Sequence, residues 1–212
     1  MLIGVGLGPG DPELLTVKAV KTIERADEVI VPGKLAYDVV SRYRSPRLVE
    51  FPMGRSEKIE DELSEEFARR CIDEDIVFAT LGDAAFFSTF QHIATKTRQK
   101  NPDVKIQMVP GVPSFTAVFS RLNLFVDAPF LVTTPDMGRV EYAIILKAKK
   151  PAEVAEGLAN AGYKQFVIAE RIFMDGEKVE IASHAGEVRE RADYFTLLVA
   201  VRRQPEEESR RS

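Results

Sequence analysis

Short apolar runs alternate with longer amphipathic stretches through the first half of the chain. Residues 1–6 read as a strand and 12–25 as a helix, with Thr16, Val17, Val20 and Ile23 partly on one face. Residues 28–31 form a short strand closed by Pro32-Gly33. Residues 35–43 read as a helix, 48–51 as a short strand and 57–72 as a charged amphipathic helix. Residues 76–81 read as a buried strand running into Gly82-Asp83. Then come a helix at 86–100, a strand at 104–109 ending on Pro110-Gly111, and a helix at 114–122. Strands alternating with helices predict a mostly parallel α/β sheet. After about residue 125 the rhythm changes. Residues 130–133, 142–146, 166–169, 178–181 and 195–201 read as strands, and 152–161 as a helix closed by Gly162. Asp175-Gly176 is a hairpin signal. The pattern predicts an N-terminal α/β domain over 1–124, a smaller mixed α/β domain over 125–203, and a frayed tail over 204–212.

Composition narrows the class. The chain has 212 residues, 45% hydrophobic and 29% charged, as in an ordinary globular protein. A net charge of -4 gives no bulk attraction for nucleic acid. A single cysteine, Cys71, excludes an intramolecular disulfide, fits a reducing cytoplasm, and reads as a buried helix residue. No apolar stretch is long enough to span a membrane, and no signal peptide is visible at the N-terminus. His92 and His184 lack metal-ligand spacing, so no protein-bound metal is expected. The charge run at 55–66 reads as a solvated helix face.

The candidate chemistry lies in glycine-rich turns where strands end. Val5-Gly-Leu-Gly-Pro-Gly-Asp-Pro-Glu-Leu-Leu-Thr16 joins the first strand to the first helix. It is not a dinucleotide fingerprint, because Pro9 or Asp11 falls where the third glycine of G-x-G-x-x-G belongs. Asp11 would also repel a phosphate at the helix start. A loop with acids and few cations suits a ligand without phosphates. Asp83 has two open readings: a ligand contact, or the cap of a helix beginning near Ala84. Phe87 reads as a core aromatic, and Ser88 and Thr89 as helix-surface hydroxyls.

That first segment closely resembles the first motif of the tetrapyrrole methylases, enzymes that use S-adenosylmethionine (SAM). Leu81-Gly-Asp-Ala-Ala-Phe-Phe-Ser-Thr-Phe90 resembles their G-D-P loop, and Val109-Pro-Gly-Val-Pro-Ser114 their P-G-[IV]-[ST]-[SA] turn. Asp193-Tyr-Phe-Thr-Leu-Leu-Val-Ala-Val-Arg-Arg203 resembles the last strand of the branch that methylates C20 of precorrin-2 or its cobalt form. The resemblance spans roughly residues 1 to 203. Three positions depart from it: Ala84 replaces a usual proline, Phe87 a tyrosine common in the C20 branch, and Gly54 a frequent threonine.

The resemblance implies a two-domain fold with SAM in the cleft. Leu7, Gly8 and Pro9 would form one wall, and Leu81, Gly82, Asp83 and Phe86 another. Pro113 and Ser114 would add contacts from the third loop. Leu146 would give a backbone contact to the adenine end and Ile172 a last contact. Asp11, Ser88 and Thr89 fall on the substrate side. The implied reaction is transfer of a methyl group from SAM to C20 of cobalt-precorrin-2 (cobalt-factor II), in a cytoplasmic homodimer of the cobalamin pathway. No side chain in these motifs is assigned as the base for the C20 proton. Alternatives stay open: metal-free precorrin-2, another ring position, a protein substrate as in diphthine synthases, a non-catalytic SAM-binding protein, or a ribosomal RNA methylase.

Overall fold

The strand Leu2–Gly6 (β1) is buried along its whole length. Continuous burial requires cover on both faces, which helix layers on a parallel sheet provide. The computed structural model describes residues 1–51, 56–133 and 138–202. The Gly54 position and the tail at 204–212 lie outside them. β1 sits inside a five-stranded sheet with Glu28–Val31 (β2), Arg47–Leu48 (β3), Ile76–Thr80 (β4) and Ile106–Val109 (β5), in the order β3-β2-β4-β1-β5. Every pair is parallel. Leu2 stands level with Ile76 on one side and Ile106 on the other.

Five helices accompany this sheet: Val17–Arg25 (α1), Lys34–Val40 (α2), Ser56–Arg70 (α3), Thr89–Lys100 (α4) and Ser114–Leu122 (α5). Alternation along β1 divides the core in two. Ile3 and Val5 join Ala19 and Ile23 of α1 and Val39 of α2. Leu2 joins Phe67 of α3 and Phe90 and Ile93 of α4. Full burial of each of the larger side chains, from valine to phenylalanine, stabilises the fold by about 1.5–3 kcal/mol. Cys71, just beyond α3, is buried in the second of these clusters. Burial pushes its thiol up to about 11, so it stays protonated and inert.

Several local expectations are corrected. The helix expected at 12–25 is divided. Residues Pro12–Leu14 form one 3-10 turn capped by Asp11, whose Oδ1 accepts from the Glu13 amide at 2.9 Å. Thr16 then caps α1, its Oγ1 accepting from the Ala19 amide at 3.1 Å. Val17 is consequently outside the buried face, which consists of Ala19 and Ile23. The helix expected from residue 86 begins at Thr89, because the Ser88 hydroxyl caps it. Residues 130–133 form no strand: the Phe130 ring packs on Phe115 and Phe119 of α5, at 6.3 and 5.9 Å between centroids.

The contacts group the chain into two units, Met1–Val132 and Thr133–Ser212. The second contains Tyr142–Leu146 (β6), Pro151–Asn160 (α6), Gln165–Glu170 (β7), Lys178–Ala182 (β8) and Thr196–Val201 (β9), in the sheet order β6-β9-β7-β8. Where the sequence suggests a mixed sheet, every described pair is antiparallel. The reason is insertion: β6, α6 and β7 form a crossover with its two strands running the same way, but β9 lies between them. One face packs Phe166, Ile168, Leu198 and Ala200 against Ala155 of α6. The other bears the row Ile144, Val199, Val167 and Ile181. Among the described residues no helix is long and apolar enough to cross a membrane.

Candidate active site

Three loops leave the carboxyl ends of the adjacent strands β4, β1 and β5, the edge where open parallel α/β sheets bind ligands. They touch one another through glycines. Gly8 and Gly82 exchange two backbone hydrogen bonds, Gly8 N donating to Gly82 O at 3.1 Å and Gly82 N to Gly8 O at 2.7 Å. Gly111 closes the third side. A Cβ added there would lie 2.3 Å from Gly82 O and 2.7 Å from the carbonyl carbon of Gly6. No side chain larger than hydrogen fits without separating the loops. Gly82 adopts φ +72°, a left-handed conformation that glycine takes at little cost.

Asp83 ties two of these loops together. Its side chain is buried, 8% exposed. Oδ1 accepts from the Ala85 amide at 2.8 Å, and Oδ2 accepts from the Gly111 amide at 2.9 Å. This corrects the capping reading: residues 84–87 form a turn and a bend rather than a helix, and Ser88 is the residue that caps α4. Each carboxylate oxygen still has a second lone pair for a ligand donor. The sequence motif contained Gly111 without singling it out. The signal that could have done so is a glycine on a third strand end, where two other glycine loops converge.

The other expected site residues divide by environment. Leu7 and Gly8 are buried, so Leu7 has only backbone to offer, and its amide is already held by Thr80 O at 2.8 Å. Pro9 is exposed, Leu81 and Pro113 are half-buried, and Ser114 is exposed at the start of α5. Phe86 is 46% exposed and stands edge-on to Phe115 at 5.9 Å. Phe87 is not a core aromatic: it is 67% exposed with φ 48°, turned outward by that left-handed backbone. Ser88 is not a surface hydroxyl. It is buried, donating to Ala84 O at 2.9 Å and accepting from the Phe90 amide at 3.1 Å. Thr89 is half-buried and Asp11 exposed. Leu146 and Ile172 belong to the second unit, where Leu146 ends β6 with its side chain exposed and Ile172 follows β7 half-buried.

Chemically, the loops over residues 4–16, 81–91 and 109–120 hold Asp11, Glu13 and Asp83 but no lysine or arginine. A Cβ at Gly82 would meet no protein atom within 4 Å, so a ligand can come close to the backbone there. The cradle therefore fits a ligand that is neutral or cationic, brings hydroxyl or ammonium donors, and lacks phosphate. Among the described residues no group of three His, Cys, Asp or Glu side chains is arranged to hold a metal ion.

The model of the family Tetrapyrrole (Corrin/Porphyrin) Methylases matches residues 1–187. The chain belongs to the tetrapyrrole methylases. It is accordingly a SAM-dependent methyltransferase. Similar proteins include one from Methanocaldococcus jannaschii named "Probable cobalt-precorrin-2 C(20)-methyltransferase". It is 26% identical, with 94% of this chain and 95% of that protein covered. The precorrin-2 C(20)-methyltransferase of a Sinorhizobium species is 27% identical, with 93% and 94% covered. Among solved structures, the native uroporphyrin III C-methyl transferase of Thermus thermophilus matches with a TM-score of 0.50 at 21% identity, over 94% of this chain and 96% of that one. That likeness supports the fold.

Proposed function

We propose that this tetrapyrrole methylase transfers a methyl group from SAM to C20 of cobalt-precorrin-2 (cobalt-factor II) in cobalamin biosynthesis. The single observation that carries the cofactor half is the cation-free glycine cradle around the buried Asp83 carboxylate. SAM, when bound, supplies an electrophilic methyl group on a sulfonium. Asp83 accepts from a hydroxyl or ammonium donor of that ligand with its remaining lone pairs. Backbone groups of Gly8 and Gly82, which carry no side chain, and of Pro9 meet it closely. Leu81, Pro113 and Ser114 frame the opening, and Phe86 limits access of water. Orientation and water exclusion are the chain's main contributions, because an electron-rich macrocycle needs no protein nucleophile.

The C20 assignment is supported by the names of the relatives in Methanocaldococcus and Sinorhizobium and by the segment Asp193-Tyr-Phe-Thr-Leu197. We assign Asp11 and Thr89 to the macrocycle side. Ser88 contributes there through the loop geometry it holds, its hydroxyl being bonded at both ends. The cobalt belongs to the substrate. The near-equal identities to the cobalt and metal-free enzymes favour keeping metal-free precorrin-2 as a second reading. We further propose a cytoplasmic homodimer. The apolar side chains of Leu122, Leu124 and Phe125 support it, being 59%, 55% and 94% exposed in one chain.

The test is incubation with SAM and each precorrin form in competition, with mass spectrometry for the added methyl and NMR for its position. One methyl at C20, faster on the cobalt ring, is expected. Methylation at C11 or C17 overturns the C20 assignment, and preference for the metal-free ring selects the second reading.

A further inference from the structure

In the second unit, the ends of β6 and β7 and the start of β9 gather three residues in left-handed backbone: Lys147 at φ 56°, Arg171 at φ 53° and Phe173 at φ 62°. Non-glycine residues rarely hold that conformation, and such strain concentrates at functional positions. The Nζ atoms of Lys147 and Lys149 lie 5.3 and 5.1 Å from the centroid of one ring, that of Tyr194. Two like charges thus lie near one aromatic ring. Among the described residues no carboxylate pairs with either ammonium, whereas the nearby Arg171 is neutralised by Asp193 at 2.6 Å.

Backbone and carboxylate contacts, apart from the lysine side chains, hold the loop that presents Tyr194. The Ala192 amide donates to Lys149 O at 3.0 Å and the Asp193 amide to Glu170 Oε1 at 3.0 Å. Asp193 Oδ1 accepts from the Phe195 amide at 2.9 Å. The loop thus has anchors other than the two ammonium groups. A function that needs both is anion binding beside an aromatic surface. Tyr194 and Phe195 are 45% and 52% exposed, so the surface is open.

We infer that Lys147, Lys149 and Tyr194 form a carboxylate-binding platform that holds the acetate and propionate side chains at the rim of the tetrapyrrole. This rests on the substrate class proposed above and adds a set of positioning residues to it. Carboxylate is favoured over phosphate because the platform offers two separate ammonium point charges beside an aromatic ring.

The experiment uses the full chain and uroporphyrin, a stable porphyrin with both acetates and propionates, read by its fluorescence anisotropy. Lys147→Gln and Lys149→Gln are each expected to weaken binding about three- to tenfold, and the double variant further, with a flatter salt dependence. Coproporphyrin, which has propionates only, should bind more weakly than uroporphyrin and lose less. Calorimetry with S-adenosylhomocysteine should give the same affinity in all variants. Lys147→Gly provides an independent readout. It relieves the left-handed strain and should raise the melting temperature by roughly 2–4 °C while weakening uroporphyrin as Lys147→Gln does. Unchanged uroporphyrin affinity in the double variant, no binding by the wild-type chain, or preference for ATP over uroporphyrin overturns the platform. So does loss of S-adenosylhomocysteine binding with the lysines. Failure of the wild-type chain to bind S-adenosylhomocysteine would strike the methylase reading instead, independently of the porphyrin result.

Discussion

Replacing Asp83 by Asn changes one oxygen to an NH2 group and leaves the shape of the side chain intact. In the wild-type chain both oxygens accept from backbone amides, Ala85 N at 2.8 Å and Gly111 N at 2.9 Å. Asn has one acceptor, so whichever way it turns, one amide faces a second donor. The site is 8% exposed, and little water can replace the lost partner. Leaving a buried N–H unsatisfied costs about 1–3 kcal/mol. In a protein of this size each kcal/mol lowers the melting temperature by roughly 2–4 °C, so a fall of about 2–12 °C is expected. The ligand effect is separate. If a donor of SAM also meets the carboxylate, a charged hydrogen bond worth about 1.5–3 kcal/mol is weakened, roughly ten- to hundredfold in affinity.

The two effects are measured on the same sample, by differential scanning calorimetry without ligand and titration calorimetry with S-adenosylhomocysteine. A melting temperature within a degree of wild type refutes the view that Asp83 braces the Gly111 loop. A lower melting temperature with unchanged affinity leaves Asp83 as a brace and removes it from the ligand site. Asp83→Ala should exceed Asp83→Asn in both, since it removes both acceptors.

Other perturbations probe separate parts of the argument. Gly111→Ala places a methyl group 2.3 Å from Gly82 O, and should cost about 1–3 kcal/mol of stability and abolish calorimetric binding of S-adenosylhomocysteine. Glu170 and Asp193 test the second unit's response to acid. The Arg189 guanidinium, with the Asp193 amide, holds Glu170 below its usual 4.5, and the Phe195 amide, with Arg171, holds Asp193 down. Lowered carboxyl pKa values stabilise the fold above the unfolded-state values and lose that contribution as pH falls through the folded ones. The melting temperature should thus be insensitive to these groups between pH 7 and 5 and fall below about pH 4.5, less steeply in Glu170→Gln; equal slopes would refute the assignment. Light scattering at micromolar concentration should give twice the 23.7 kDa chain mass, and Phe125→Asp should shift it towards one; a wild-type monomer would remove the dimer.

The parallel sheet was legible because β1, β2, β4 and β5 are short apolar runs set between amphipathic helices, and because each of these runs into glycine or proline. The expected helix at 114–122 coincides with α5. Errors fell where a side chain competes with the backbone. Thr16 and Ser88 each accept from an amide inside the following helix and so begin it later than hydrophobic spacing suggests. Residues 130–133 carry the composition of a strand, but the Phe130 ring binds α5 and tertiary packing overrides propensity. The insertion of β9 between β6 and β7 has no local signature, since strand order depends on pairing between segments distant in sequence.

The site was legible as motifs rather than as contacts. Asp83 was visible as an acid in a glycine turn, and both its ligand and capping readings were open. The structure gives it a third use, because Gly111 lies 28 residues further on and its amide reaches Oδ2 only once β4, β1 and β5 are side by side. The same holds for the lysines around Tyr194. Lys147 follows a strand and Tyr194 precedes another, with nothing in either segment to announce the pairing. They meet because β6 and β9 are antiparallel neighbours, which sets the residue after Leu146 beside the residues before Leu197. Backbone groups that will hold a ligand leave a glycine signature in sequence. Side chains that converge from separate strands leave none, and only the register reveals them.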